Sequence, residues 1–180
     1  SGNTTEAGAT ATFTGVLYTE PTGDVYIDSA SDDATEGTVT GGATLTFTTL
    51  NWATPQTVTV TGVDDDVDDG NVAYNILVTV DAGNTADPLY DPLTPSDVTV
   101  TNTDNDTVGV TVSAISANTT EAGGTATFTV VLGTEPTGDV EIDSVTDDVT
   151  EGTVTGGATL TFTTLNWDTP QTVTVTGAND

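Results

Sequence analysis

The chain has no lysine, no arginine and no histidine, against 28 aspartates and glutamates in 180 residues, for a formal charge of −28. Arg and Lys are the usual partners of clustered carboxylates. Here only backbone N–H groups, hydroxyls, water and external cations are left to neutralise them. A field of this sign repels phosphates and anionic lipids, which excludes nucleic acid and anionic membranes as partners. Cysteine is absent, so there is no disulfide framework, thiolate nucleophile or thiolate zinc site. Without histidine, most transition-metal sites and every His-based triad are excluded. Without lysine, so is Schiff-base chemistry. Only a carboxylate pair of the glycosidase kind remains as a catalytic option. A carboxylate engaged by a metal is not free to shuttle protons, so the chain is not expected to be an enzyme. No apolar run approaches the roughly 18 residues of a membrane span, and neither a signal peptide nor an initiator methionine is present. The sequence reads as a mature or excised segment.

Large apolar residues are also scarce. Leu, Ile, Val and Phe make up 40 of 180 residues, close to the roughly 20% level below which highly charged chains tend to disorder. Bound cations would supplement so thin a core, because they bind the folded state and not the unfolded one.

The sequence is a repeat. "NTTEAGATATFT" begins at Asn3 and "NTTEAGGTATFT" at Asn118; "LNWATPQTVTVTG" begins at Leu50 and "LNWDTPQTVTVTG" at Leu165. Both offsets are 115, and residues 1–65 and 116–180 pair across this shift with 11 differences. A period this long fits one domain per repeat, not one solenoid coil. Residues 1–106 are read as a first repeat lacking its opening strand. Residues 107–180 are read as a second, truncated before its last strands. The segment "TVGVTVSAIS" from Thr107 to Ser116 reads as an opening strand. The whole reads as a window cut from a longer polypeptide.

Threonine supplies 45 residues and valine dominates the apolar ones; both favour extended structure. Phe13 and Leu17 alternate with Thr12 and Thr14, Val58 and Val60 with Thr57, Thr59 and Thr61, and Val72, Tyr74, Ile76, Val78 and Val80 form a long alternating run. This pattern predicts half-buried antiparallel strands between Gly, Pro, Asn and Asp turns. About seven strands per repeat indicate an immunoglobulin-like sandwich, repeated in tandem end to end. Following chain direction, "NTTEAG", "SASDDATEG", "GVDDDVDDG" and "TNTDND" all fall at one pole. A single strand ending at Leu50 is expected to leave that pole. In an end-to-end string the pole faces the next repeat, with Trp52 and the Pro88–Pro92 loop on the facing end.

The "TEAG" turn, the "DD" loop after the third strand and "LTFTTLNWATPQTVTVTGVDDD" resemble the Calx-β domain family. The likeness is to versions found in tandem repeats of bacterial extracellular fibre and adhesin proteins. The resemblance spans nearly the whole repeat and implies a seven-stranded sandwich that binds Ca²⁺ at one end. Carried over by position, it implies Glu6, then Asp32, Asp33 and Glu36, then Asp64, Asp65 and Asp66 as ligands. In the second copy it implies Glu121, Asp147, Asp148, Glu151 and Asp180. The chain departs from the family at "DDATEGTVTGG" and "DDGNVAYNI"; Asp68 joins the candidate set and Asp69 is left open.

The residues argue for Ca²⁺ independently. It takes roughly 6–8 oxygen ligands in flexible geometry, which carboxylates from separate loops supply, whereas Mg²⁺ keeps its waters and stricter angles. The acidic loop is not an EF-hand, because counting from Asp64 puts Asp69 where Gly is required and Asn75 where Glu is required. Asp104 and Asp106 flank the repeat boundary and are candidates for bridging it. The bland alternative for all of these carboxylates is a solvated acidic surface.

Asn3, Asn105 and Asn118 open N-x-Thr sequons and are candidate glycan sites. Trp52 and Trp167 fit core or contact caps better than a sugar platform. The functional expectation is a structural calcium-binding segment of an extracellular or cell-surface fibre or adhesin, whose partners are neighbouring copies of the repeat. The alternatives are a carbohydrate-binding module, or a Ca²⁺-dependent interaction module of a secreted protein.

Overall fold

The computed structural model describes residues 2–179, and the regular structure among them is all β. It divides into two units. One comprises residues 1–65 and 69–105; the other comprises residues 66–68 and 106–180.

The first unit contains β1 (Thr4–Thr5), β2 (Thr10–Gly15), β3 (Val25–Ser31), β4 (Gly37–Gly41), β5 (Thr44–Phe47), β6 (Gln56–Gly62), β7 (Val72–Val80) and β8 (Val98–Thr103). Five of these form a sheet in the order β1-β8-β7-β3-β5, and three form a second in the order β2-β6-β4. The threonine–valine alternation does what it predicts. In β6, Val58 and Val60 are fully buried while Thr57 is exposed. Ala11 and Val60 from one sheet pack with Tyr74, Ile76 and Val100 from the other. Leu17, Val25, Leu45, Phe47 and Val58 form a second cluster, which Trp52 covers. The core therefore lies between two facing sheets, as in a β-sandwich.

Two details differ from the sequence expectation. First, β1 pairs parallel to β8, Thr4 with Asn102 and Thr5 with Thr103. Alternation sets which face of a strand is buried, but not its polarity. Second, the single strand expected before Leu50 is two strands in different sheets. β4 pairs with β6 and shifts register at Gly41, while β5 pairs with β3. Gly42, at φ 67°, turns the chain between the sheets. A Cβ there would collide with the Thr57 carbonyl, so the corner requires glycine on both counts.

The second unit contains β9 (Val110–Val112), β10 (Thr125–Leu132), β11 (Val140–Asp143), β12 (Gly152–Gly156), β13 (Thr159–Phe162) and β14 (Gln171–Gly177). Its sheets run β12-β14-β10-β9 and β11-β13. The expected opening strand at 107–116 is regular only over its three central residues. Beyond Val112 hydroxyls share the pairing with the backbone: Ser113 and Ser116 N–H donate to the Thr129 and Thr127 carbonyls, while Thr129 N–H donates to Ser113 Oγ at 2.9 Å and Thr127 N–H to Ser116 Oγ at 2.8 Å. Val130, Leu132, Leu160, Phe162 and Val173 form the core of this unit.

Candidate metal centre

The first unit draws its acidic segments together through amides rather than basic side chains. Alternation along β8 puts Asn102 on the same buried face as Val100. Asn102 is 1% exposed. Its Oδ1 accepts from Thr4 Oγ1 at 3.0 Å, and its Nδ2 donates to the Val63 carbonyl at 2.9 Å and to Glu36 Oε2 at 3.5 Å. Thr4 Oγ1 also lies 3.1 Å from the Tyr74 hydroxyl. The backbone closes the same knot: Val63 N–H donates to the Glu36 carbonyl and Glu6 N–H to the Thr103 carbonyl. Gly37 sits so close to Tyr74 that any side chain there would overlap the tyrosine hydroxyl.

Asn105 is a second junction. Its backbone N–H donates to Glu6 Oε2 at 2.9 Å, and its side-chain nitrogen reaches Glu6 Oε2 at 3.3 Å and Asp64 Oδ1 at 3.1 Å. That nitrogen is the one a glycan would occupy; Asn3 and Asn118, the other two sequon asparagines, are exposed. Asp104 accepts from Gly70 N–H at 2.7 Å, while its own N–H donates to Asn71 Oδ1 at 3.0 Å.

Two sets of carboxylates result. Glu36, Asp65 and Asp69 each place an oxygen within 4.8 Å of the other two, and Glu6 and Asp104 do the same as a pair. Glu6 is 3% exposed and Glu36 6%. Burial holds the Glu36 carboxyl above its ordinary value. The Asn102 amide opposes this shift, and Asp69, Asp33 and Asp65 push it higher. A carboxyl raised in this way favours the metal-free fold at low pH. That contribution is lost as pH rises through its folded value. Burial also raises the Tyr74 hydroxyl, and Thr4 partly offsets it.

Other candidates have different surroundings. Asp32 accepts from Asn75 N–H at 2.7 Å and from Asn75 Nδ2 at 3.1 Å. These bonds hold its carboxyl below its ordinary value. Asp33 Oδ1 accepts from Thr35 N–H and Oγ1, at 3.1 and 2.6 Å. Asp66 and Asp68 are counted with the second unit, where Asp68 accepts from Val108 N–H at 2.9 Å. Asp106 opens the second unit.

In the second copy, Glu121 and Glu151 line a recess of about 680 Å³ together with Thr120 and Asn179. These are the counterparts of Glu6, Glu36, Thr5 and Asp64, but both glutamates are exposed. Asp147 is exposed, and Asp148 accepts from Thr150 N–H and Oγ1, which lowers its carboxyl. Asp180 lies outside the described residues.

Sequence reasoning did not single out Thr4, Tyr74 or Asn102, and it left Asp69 open. For Asn102 the signal was present: it continues the period-two series Val98, Val100 as a polar residue on a buried face.

The donor set is all oxygen, from carboxylates, carbonyls and amides, with no basic residue to compete. That is the chemistry of a hard divalent cation such as Ca²⁺. No protein-family model matches the chain, and no curated protein matches it. Among solved structures it is similar to the crystal structure of the calcium binding domain CBD12 of CALX1.1. That match has 17% identity and a TM-score of 0.41, and covers 99% of this chain and 73% of that one. It is also similar to CBD12 from CALX1.2, at 16% identity and a TM-score of 0.38, covering 97% and 72%.

Proposed function

We propose that this chain is a calcium-binding structural segment of an extracellular or cell-surface fibre or adhesin. The observation that carries the reading is the burial of Glu6 and Glu36 in a chain without one basic side chain. Burying carboxylate charge beside other carboxylates costs several kcal/mol in order of magnitude, even where amides donate to it. A bound divalent cation removes that cost and the mutual repulsion together. Glu36, Asp65 and Asp69 would hold one ion. Glu6 and Asp104, with Asp64 held beside Glu6 by Asn105, would hold another. The remaining carboxylates named from the sequence are second-rank candidates.

Asp104 and Asp106 stand one residue apart across the division between the two units. Ca²⁺ held there would stiffen the joint, and the partners of the segment are neighbouring copies of the same repeat. The near identity of the two copies supports a repeated mechanical role.

The test is titration of EGTA-treated protein with Ca²⁺ by calorimetry, with thermal unfolding followed in parallel by circular dichroism. The expected result is saturable binding and a raised unfolding midpoint, amounting to about 2.7 kcal/mol at a hundredfold excess over Kd. An unfolding midpoint that is the same in EGTA and in Ca²⁺ at low ionic strength overturns the reading. Persistence of any fibre, seen by electron microscopy in EGTA, would overturn the stiffening role alone.

A further inference from the structure

Both Asp–Pro bonds of the chain, Asp87–Pro88 and Asp91–Pro92, fall in the connection between β7 and β8. In acid such a bond is the weakest kind of peptide link. A carboxyl oxygen of the aspartate attacks its own carbonyl carbon and closes a cyclic anhydride. Proline has no N–H, and its nitrogen leaves readily once it is protonated. The aspartate side chain must be free to turn for this to happen, so its surroundings decide which bond is weak.

The fold treats the two aspartates differently. Asp87 is 1% exposed. Its Oδ2 accepts from Thr22 N–H at 2.6 Å and Thr22 Oγ1 at 3.0 Å, and its Oδ1 accepts from Leu89 N–H at 2.8 Å. Neither oxygen turns onto the Asp87 carbonyl carbon without giving up these bonds. Asp91 is exposed, and among the described residues no hydrogen bond reaches its carboxylate. Its peptide bond lies on a surface loop, where a cut is best tolerated. The contacts that hold the loop flank that bond on both sides. Upstream, Ala86 N–H donates to the Asp24 carbonyl at 2.8 Å, and the Tyr90 hydroxyl donates to the Thr19 carbonyl at 2.7 Å. Downstream, Asp97 Oδ1 accepts from Val78 N–H at 3.0 Å, and β8 pairs with β7 from Val98 opposite Ile76 to Asn102 opposite Val72.

We propose that Asp91–Pro92 is a self-cleavage site. In mild acid the Asp91 carboxyl cuts the chain there, Asp87–Pro88 is spared, and the first unit stays assembled from its two pieces. A carboxyl oxygen of Asp91 bonds to the Asp91 carbonyl carbon, and the C–N bond to Pro92 breaks. The electron pair of that bond stays on the Pro92 nitrogen, which takes up a proton. Water then opens the anhydride, which restores the Asp91 side chain and leaves a new terminal carboxyl. A proton and water are the co-reactants. The pieces are held by the strand pairing of β8 with β7 and by the contacts of Ala86 and Tyr90, all of which the cut leaves in place. This proposal does not depend on the calcium reading.

The experiment incubates the full 180-residue chain at the lowest pH at which circular dichroism still shows the folded spectrum. Intact-mass spectrometry then reads the products, and size-exclusion chromatography after return to neutral pH reads their association. The expected result is two fragments, residues 1–91 and 92–180, that elute together as one species, with no cut after Asp87. In urea at the same pH both Asp–Pro bonds should break at similar rates, because the bonds that hold the Asp87 carboxylate are gone. Asp91→Asn should lose the 1–91 fragment. Absence of cleavage in the folded chain overturns the proposal, as does equal cleavage after Asp87, or persistence of the 1–91 fragment in Asp91→Asn. The same preference for Asp91 in urea would show that the fold does not protect Asp87. Fragments that separate on the column would overturn the claim that the unit stays assembled.

Discussion

Residues 1–65 and 116–180 are nearly the same sequence, yet the two copies treat the same glutamates differently. Glu6 and Glu36 are buried, while Glu121 and Glu151 are exposed. The local frame is the same in both. β4 and β12 carry the same register shift against β6 and β14, and Gly42 and Gly157 turn at φ 67° and 68°. The difference comes from β7 and β8. They bring Tyr74, Asn102 and Asn105 over the first pair of glutamates, and the second unit has no such strands among its described residues. A carboxylate's environment here is set by distant chain and not by its neighbours in sequence. The same two strands supply Ile76 and Val100 to the core cluster found in the first unit alone.

The contrast can be broken most forcefully through that cluster. Ile76→Ala is expected to cost about 2–5 kcal/mol. Hydrogen exchange should quicken throughout β2–β8 and leave β10–β14 unchanged. If both units loosen together, they are not independent in stability. Asn102→Ala comes next, at about 1–3 kcal/mol, because it removes the amide that donates to the Val63 carbonyl and one of the acceptors of the Thr4 hydroxyl. Chemical denaturation would measure it, and a cost near zero would show that water replaces the amide.

Glu36→Gln sharpens the comparison in sign. Without metal it should raise the unfolding midpoint of the first unit at neutral pH, since burial and neighbouring carboxylates disfavour the Glu36 charge. With Ca²⁺ it should forfeit much of the metal-dependent gain. The metal-free gap between variant and wild type should widen as pH rises through the raised folded value and close below the ordinary carboxylate range. Glu151→Gln, at an exposed position, is expected to stay within about 0.5 kcal/mol of wild type.

Asp87 gives the opposite pH dependence. It is buried and accepts from Thr22 N–H at 2.6 Å and Leu89 N–H at 2.8 Å. These bonds hold its carboxyl below its ordinary value. Its contribution is present above the ordinary carboxylate range and is lost as pH falls through the lowered folded value. Asp87→Asn should therefore lower the midpoint at neutral pH, with the gap closing in acid. pH-dependent melting curves of the two proteins would check it.

The all-β class and the faces of β2, β3, β5, β6 and β7 were legible because threonine and valine alternate almost without interruption. Side-chain direction in a strand follows from position alone. The acidic character of the pole was legible too, since 28 carboxylates without a basic partner require an external cation or solvent. Which carboxylates meet was not legible. Asp32 is adjacent to Asp33 in sequence, yet it bonds Asn75. Asp69 was left open, yet it lies beside Glu36. Those choices depend on the parallel pairing of β1 with β8 and on Asn102 facing inward from β8. They also depend on the sheet change at Gly42.

Sequence by itself determined what each strand buries and the sign of the field. Tertiary structure decided which glutamates lose their water and which strands pair across the sheets. Dehydration and edge pairing need chain that is distant in sequence and close in space, and no local pattern specifies when that chain arrives.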